Sequence, residues 1–186
     1  MELLHQISFG MMIVAGILAM VVSIERVIFS SVNLTRSKQV LRSVNSGEIG
    51  QIDGLLKNDS VSHMVNEIAK IKSQNLNPST YQDRIEAAYL EAKDTLNSRL
   101  WILDTVVTAA PLMGLLGTIF GIVDTFLALS KSGMSDPASV SSGIGTALYA
   151  TALGISIALL CLLVFNFLND RNERIIENLK MLILRA

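Results

Sequence analysis

Three runs of apolar sequence carry no charged side chain: Ile7–Ile24, Thr105–Val123 and Pro137–Asn169. Between the first two lies a mixed polar segment, and after the third a short amphipathic tail. A helix needs about 20 apolar residues to cross a hydrocarbon core, so each run is read as a membrane span. The pattern predicts an all-α membrane protein with three transmembrane helices per chain. Its parts are a first transmembrane helix at 7–29, a helical region at 30–98, a second transmembrane helix at 99–129, a loop at 130–138 on the other side of the membrane, a third transmembrane helix at 139–169 and a tail helix at 170–186.

The second and third runs differ from plain anchors because small and hydroxylated residues recur in them at helical spacing. Gly114, Gly117 and Gly121 remove side-chain bulk from the second span, which lets another helix approach at backbone distance. In the third span Thr146, Ala150, Gly154 and Ala158 form an i, i+4 row of the same kind. Thr146 and Thr151, five residues apart, point roughly 140° from each other and cannot line one surface. Pro111 removes one ladder hydrogen bond from the second span and is expected to bend it.

The middle segment reads as helical hairpins broken at Asn45-Ser46-Gly47 and at Asn75-Leu76-Asn77-Pro78. Val61, Met64, Val65, Ile68, Ala69 and Ile71 give the helix between these breaks one buried face. Ser79-Thr80-Tyr81-Gln82 has the form of a capping box. With Pro111 the sole breaker before Met113, the helix starting there is expected to run without a loop into the membrane for some 50 residues, about 75 Å. Ile175, Ile176, Leu179, Leu182 and Ile183 make the tail a continuation of the third span that packs on the cytoplasmic hairpins.

Composition strengthens the membrane reading. Of the 186 residues 51% are hydrophobic, and a mean hydropathy of +0.49 is too high for an ordinary soluble domain. The first run follows a leader without Lys or Arg and precedes no small-x-small site, so it is read as a retained anchor rather than a cleaved signal. Ten of the fifteen Lys and Arg lie in Arg26–Arg99 and four lie after Asn169, which puts both segments in the cytoplasm and the N-terminus outside. A net charge of -1 without a basic stripe gives no reason to expect a nucleic-acid partner, and none is assigned.

Catalytic chemistry is scarce. The two histidines, His5 and His63, fall on opposite sides of the membrane, so no metal site is expected, and no cofactor motif is present. Cys161 is alone and is read as a small core residue. The chain is therefore not read as an enzyme, and no residue is assigned a catalytic role. What remains is a hydroxyl stripe: Asp104, Thr108, Pro111, Leu115, Thr118, Ile122 and Thr125 share one face of the second span, and Thr151 is central in the third. A threonine donates and accepts but does not titrate near neutrality, so any titratable group for ion transfer has to come from elsewhere. Asp104 and Asp124 border the second span, where water and headgroups reach them; if Asp124 faces a pore it is an entry site on the outer side.

Two segments, Ala110-Pro111-Leu112-Met113-Gly114-Leu115-Leu116-Gly117-Thr118-Ile119-Phe120-Gly121-Ile122 and Gly143-Ile144-Gly145-Thr146-Ala147-Leu148-Tyr149-Ala150-Thr151-Ala152-Leu153-Gly154, closely resemble the signatures of the MotA/TolQ/ExbB proton-channel family. The first span with its Glu25-Arg26 ending and the N-out topology extend the resemblance over nearly the whole chain. It is closest to the ExbB and TolQ branch, more ExbB-like for its short length, since MotA-type stators have four spans and a larger insertion. The resemblance implies a homopentamer around a central pore lined by the second and third spans. Inside would sit a single-span ExbD or TolR-like partner carrying an essential aspartate, with Thr118 and Thr151 as pore threonines facing it. On this reading the ion pathway is Thr118, Thr151, Thr108, Thr125 and Asp124, and packing and kink residues are Pro111, Gly114, Gly117, Gly121, Thr146, Ala150 and Gly154. ExbB proteins often carry a glutamate where this chain has Thr146. The implied role is an inner-membrane motor that converts proton motive force into motion, passed to a TonB-like protein that energises outer-membrane transport. The alternatives are a TolQ-like subunit of the Tol-Pal envelope system and a non-conducting membrane scaffold.

Overall fold

A computed structural model describes residues 2–46, 60–74, 77–132 and 137–185. Among them it is all-helical: α1 (Glu2–Ser46), α2 (Ser60–Ser73), α3 (Pro78–Asn97), α4 (Leu100–Ser132) and α5 (Pro137–Arg185). Three of these, over Ile7–Arg42, Leu100–Lys131 and Pro137–Ile183, are long and apolar enough to cross a membrane. At 45 and 49 residues, α1 and α5 run about 70 Å, roughly twice a hydrocarbon core. The limits drawn from sequence at residues 29 and 169 fall inside these continuous helices.

The chain divides into two compact units, one of Met1–Ile24 with Arg99–Phe165 and one of Glu25–Ser98 with Asn166–Ala186. In the first, the buried row of α4 tapers along the helix through Leu100, Leu103, Val106, Ala110, Gly114 and Gly117. The opposing row of α5 is Ala147, Ala150, Gly154, Ala158 and Cys161, with Ala19 of α1 packed among them. Cys161 is thus a buried core residue, as its isolation in sequence suggests.

The second unit has a core of larger side chains: Val40 of α1, Ile71 of α2, Ile85, Ala92 and Leu96 of α3, and Ile175, Leu179 and Leu182 of α5. The tail continues the third span as one helix and packs on the other helices of this unit, as its amphipathic pattern predicts. Of the face predicted for α2, Val65 and Ile71 join the core, while the side chains at 61, 64, 68 and 69 lie outside the described residues, as do Gly47, Asn75 and Leu76 of the two breaks.

Two local expectations need correction. The helix expected to run unbroken from Ser79 into the membrane stops at Asn97, because Ser98 and Arg99 leave the helical path and Arg99 takes a left-handed φ of 65°. Ser98 Oγ donates to the Thr95 carbonyl and Ile102 N to the Arg99 carbonyl, so the break is supplied with its own hydrogen bonds. The capping box is also misplaced: Asn77 is the N-cap of α3 and makes no side-chain cap bond, with Pro78 at the first helical position. Proline's fixed φ and missing N–H suit that position, so the start of α3 needs no Ser79–Gln82 box.

Candidate functional site in the membrane unit

α4 and α5 are antiparallel where their small residues meet. Positions that touch keep a nearly constant sum: Ala110 with Gly154, Gly114 with Thr151, Thr118 with Ala147, and Thr125 with Gly143. A methyl built on Gly154 would fall 2.5 Å from the Ala110 carbonyl oxygen, and one on Gly114 would fall 2.9 Å from the Ala150 carbonyl oxygen. Backbone cannot rotate out of the way as a side chain can, so these two glycines set the closest approach. Gly117 is nearly as tight, 3.1 Å from Ala150 Cβ. Pro111 sits within α4 one residue after the carbonyl that Gly154 meets.

This closeness brings Thr118 and Thr151 together. Their Oγ1 atoms are hydrogen-bonded to each other. Thr118 Oγ1 also lies 3.1 Å from the Gly114 carbonyl and 3.3 Å from that of Ala147, and Thr151 Oγ1 lies 3.0 Å from the Gly114 carbonyl. Each hydroxyl has one hydrogen, so the bond between them can run in two directions. In one, Thr151 donates to Thr118 and Thr118 to the carbonyl of Gly114 or of Ala147; in the other, Thr118 donates to Thr151 and Thr151 to the Gly114 carbonyl. Both arrangements leave the heavy atoms in place, and they differ only in the direction of the O–H dipoles.

The remaining predicted residues do not converge on the pair. Thr108 is exposed and donates to the Thr105 carbonyl at 2.9 Å; Thr125 is half-buried, donates to the Gly121 carbonyl at 2.8 Å and stands where a methyl on Gly143 would fall. Asp124 is half-buried and Asp104 exposed. Asp124 and Asp104 lie six and fourteen residues from Thr118, roughly 9 and 21 Å along the helix, so neither carboxylate is beside the pair. The stripe expected as one surface is therefore split: Thr118 turns into the α4–α5 contact while Asp104, Thr108 and Leu115 are exposed. Thr146 likewise leaves the ridge predicted for it. It is exposed and bonds the Ser142 carbonyl, and Ala147 takes its place beside Ala150 and Gly154. Thr146 and Thr151 do point apart. Gly121 enters through its carbonyl, which accepts from Thr125.

Sequence reading missed the part played by three backbone carbonyls, those of Ala110, Gly114 and Ala147. No residue-type pattern marks a carbonyl, and only the crossing of two helices shows which ones are used. Among the described residues no group of three His, Cys, Asp or Glu is placed to hold a metal.

Fold and site together define a multi-pass helical membrane protein whose spans meet on glycine, alanine and a hydrogen-bonded threonine pair. The chain belongs to the MotA/TolQ/ExbB proton channel family, whose profile matches residues 55–181 and so takes in both halves of the pair. A putative biopolymer transport protein ExbB homolog of Methanothermobacter thermautotrophicus is 26% identical over 179 residues, covering 90% of this chain and 61% of the relative. Putative biopolymer transport protein ExbB-like 1 of Synechocystis sp. is 30% identical over 167 residues, 84% of this chain and 65% of its own. Biopolymer transport protein ExbB of Aquifex aeolicus is 41% identical over 73 residues, 39% of this chain and 49% of its own. The chain thus spans between half and two thirds of the length of these relatives.

Proposed function

We propose that this chain is the ExbB-like subunit of a proton-driven motor in a bacterial inner membrane, with the N-terminus periplasmic and five copies surrounding a pore. A single-span ExbD or TolR-like partner supplies the titratable aspartate, and a TonB-like protein carries the resulting motion to outer-membrane transport. The observation that carries this reading is the Thr118–Thr151 pair, two hydroxyls in a glycine-lined helix contact that exchange donor and acceptor roles without moving heavy atoms. A carboxyl passing such a pair needs an acceptor when protonated and a donor when ionised, and the same two hydroxyls offer both. Thr108, Thr125 and Asp124 extend the pathway along α4, with Asp124 as the outer entry. Pro111, Gly114, Gly117, Gly121, Ala150 and Gly154 serve packing between helices, and the exposed Thr146 serves contacts between copies. One proton falling through 100 mV releases about 2.3 kcal/mol, so a working cycle uses several.

A non-conducting scaffold is the competing reading, and one observation favours it: both hydroxyls find partners within a single chain. Proton flux into liposomes holding this chain with its partner separates the two. Thr118→Val or Thr151→Val is expected to abolish partner-dependent flux with the oligomer intact, whereas absence of flux in the wild type makes the chain a scaffold and unchanged flux in both variants makes the hydroxyls packing groups. Complementation of strains lacking either system distinguishes a TonB-type from a Tol-type subunit.

A further inference from the structure

The buried row of α1 changes character along the helix. It is apolar at Met12, Ala19 and Val22, polar at Arg26, Ser30, Asn33 and Ser37, and apolar again at Val40. The four polar positions are spaced four, three and four residues apart, so they line one face, and all belong to the second unit. Ser30 and Asn33 are each 1% exposed and Ser37 is 0% exposed.

Facing this row is the continuation of α5. Arg171 donates to Ser31 Oγ and Asn178 Nδ2 to Ser37 Oγ at 3.1 Å, pairs separated by 140 and 141 positions. Nearly equal separations mean that α1 and α5 run parallel here. Asn172 then lies level with residues 31 and 32 of α1, between Ser30 and Asn33. It is 2% exposed and donates through Nδ2 to the Leu96 carbonyl at 2.8 Å and to Asn97 Oδ1 at 3.3 Å, capping the end of α3.

Three buried atoms at this level have no protein partner: Ser30 Oγ, Asn33 Oδ1 and Asn172 Oδ1. Asn33 spends its amide donor on the Phe29 carbonyl at 2.8 Å. Leaving a buried polar atom unpaired costs about 1–3 kcal/mol, and side chains in this setting have a common resolution, a bound water with about three hydrogen bonds. The inventory matches a water molecule: two amide oxygens accept, and one hydroxyl donates or accepts. Arg171 and Glu173 flank Asn172, and Arg26, one helical turn before Ser30, is paired with Glu25, so charge of both signs borders the site. The three residues themselves carry no charge and offer no counter-charge to a cation or hydronium, which suits neutral water.

We propose that Ser30, Asn33 and Asn172 form a site for ordered internal water that joins α1 to the α3–α5 contact, and that this water is held in place and conducts no protons. The assignment rests on the second unit alone and is independent of the threonine pair. The test is water-edited solid-state NMR of the full chain in lipid bilayers. Transfer from water to the Asn33 and Asn172 side-chain amides is expected to be severalfold faster than to the methyls of Ile175 and Leu179, and equal rates would overturn the site. In Asn33→Leu, transfer to Asn172 is expected to fall severalfold while Ile175 methyl shifts stay unchanged; unaltered transfer would also overturn it. The wild-type comparison stands even if that variant does not fold. Finally, Asn33→Leu in the complex with the partner is expected to keep its proton flux within about twofold, a difference of about 0.4 kcal/mol; collapse of flux in a folded variant would make the seam conducting and refute the held-water assignment. Loss of flux in Thr118→Val leaves this result untouched, so the two readings fail separately.

Discussion

The two units solve the same packing problem with opposite side chains. In the membrane unit α4 and α5 meet on Gly114, Gly117, Ala147, Ala150 and Gly154, whereas the second unit is built on Ile175, Leu179, Leu182, Leu96 and Ile85. On the reading that places the second unit in the cytoplasm, the difference follows from the solvent. Water drives large apolar side chains together, but lipid is as apolar as leucine and gives no such drive, so helices there gain by dispersion and hydrogen bonding at short range. Polar groups follow suit: the membrane unit pairs its hydroxyls internally, and the second unit carries a buried polar row beside its aliphatic core.

That contrast breaks first at the glycines. Gly154→Val would drive a side chain into the Ala110 carbonyl and is expected to cost 3 kcal/mol or more, at roughly the upper end of overpacking, seen as a large fall in the thermal midpoint in detergent. Gly145, where an added methyl meets nothing within 4 Å of this chain, is the control: Gly145→Ala is expected to leave the isolated chain as stable or slightly more so, by about 0.5 kcal/mol. Next comes the aliphatic core. Ile175→Ala is expected to cost about 2–5 kcal/mol in the same melt, while Leu163→Ala on the exposed face of α5 changes it by about 0.5 kcal/mol or less. A large loss at Leu163 would show that α5 is covered there by another protein surface.

Smaller still is the left-handed residue at the break. Arg99→Gly removes the steric cost of φ 65° and is expected to raise stability by up to about 1 kcal/mol, read by the same melt. Least of all is a surface pair on α2. Lys70 bonds Glu67 at 2.8 Å and holds its carboxyl below the usual carboxylate range, first through that hydrogen bond and then through its charge. A lowered folded pKa contributes stability above the unfolded value of 4.5 and loses it as pH falls through the folded value. Because the pair is solvated, Lys70→Ala is expected to leave the midpoint at neutral pH unchanged within error and to flatten a slight dependence below pH 4.5.

How legible this was depends on which physical signal carried each feature. The spans, the long tail helix and the buried Cys161 were readable because hydropathy and helical spacing act over many residues and do not depend on partners. Thr118 and Thr151 stood out as hydroxyls in apolar runs. Thr146 was assigned to the wrong ridge because positions four and three residues from Ala150 lie about 40° and 60° to either side of it around the helix, and which side is buried is decided by the partner helix and not by the spacing. The break at Ser98–Arg99 was missed because neither residue is a strong breaker; the turn is made by tertiary placement, with Asn172 capping α3 from another helix. The polar row Arg26, Ser30, Asn33 and Ser37 carried a signal that could have been used, since it continues the spacing of Ala19 and Val22 and ends at Val40.

By itself the sequence determined three helices long and apolar enough to cross a membrane, because hydropathy and helix rise are set one segment at a time, and its two glycine- and threonine-bearing segments carried the resemblance to the MotA/TolQ/ExbB family. Only the tertiary structure decided which glycines touch backbone, which carbonyls the threonines use and which polar side chains are enclosed. These are properties of pairs of helices, and the register between two helices is fixed by their mutual packing rather than by either one alone.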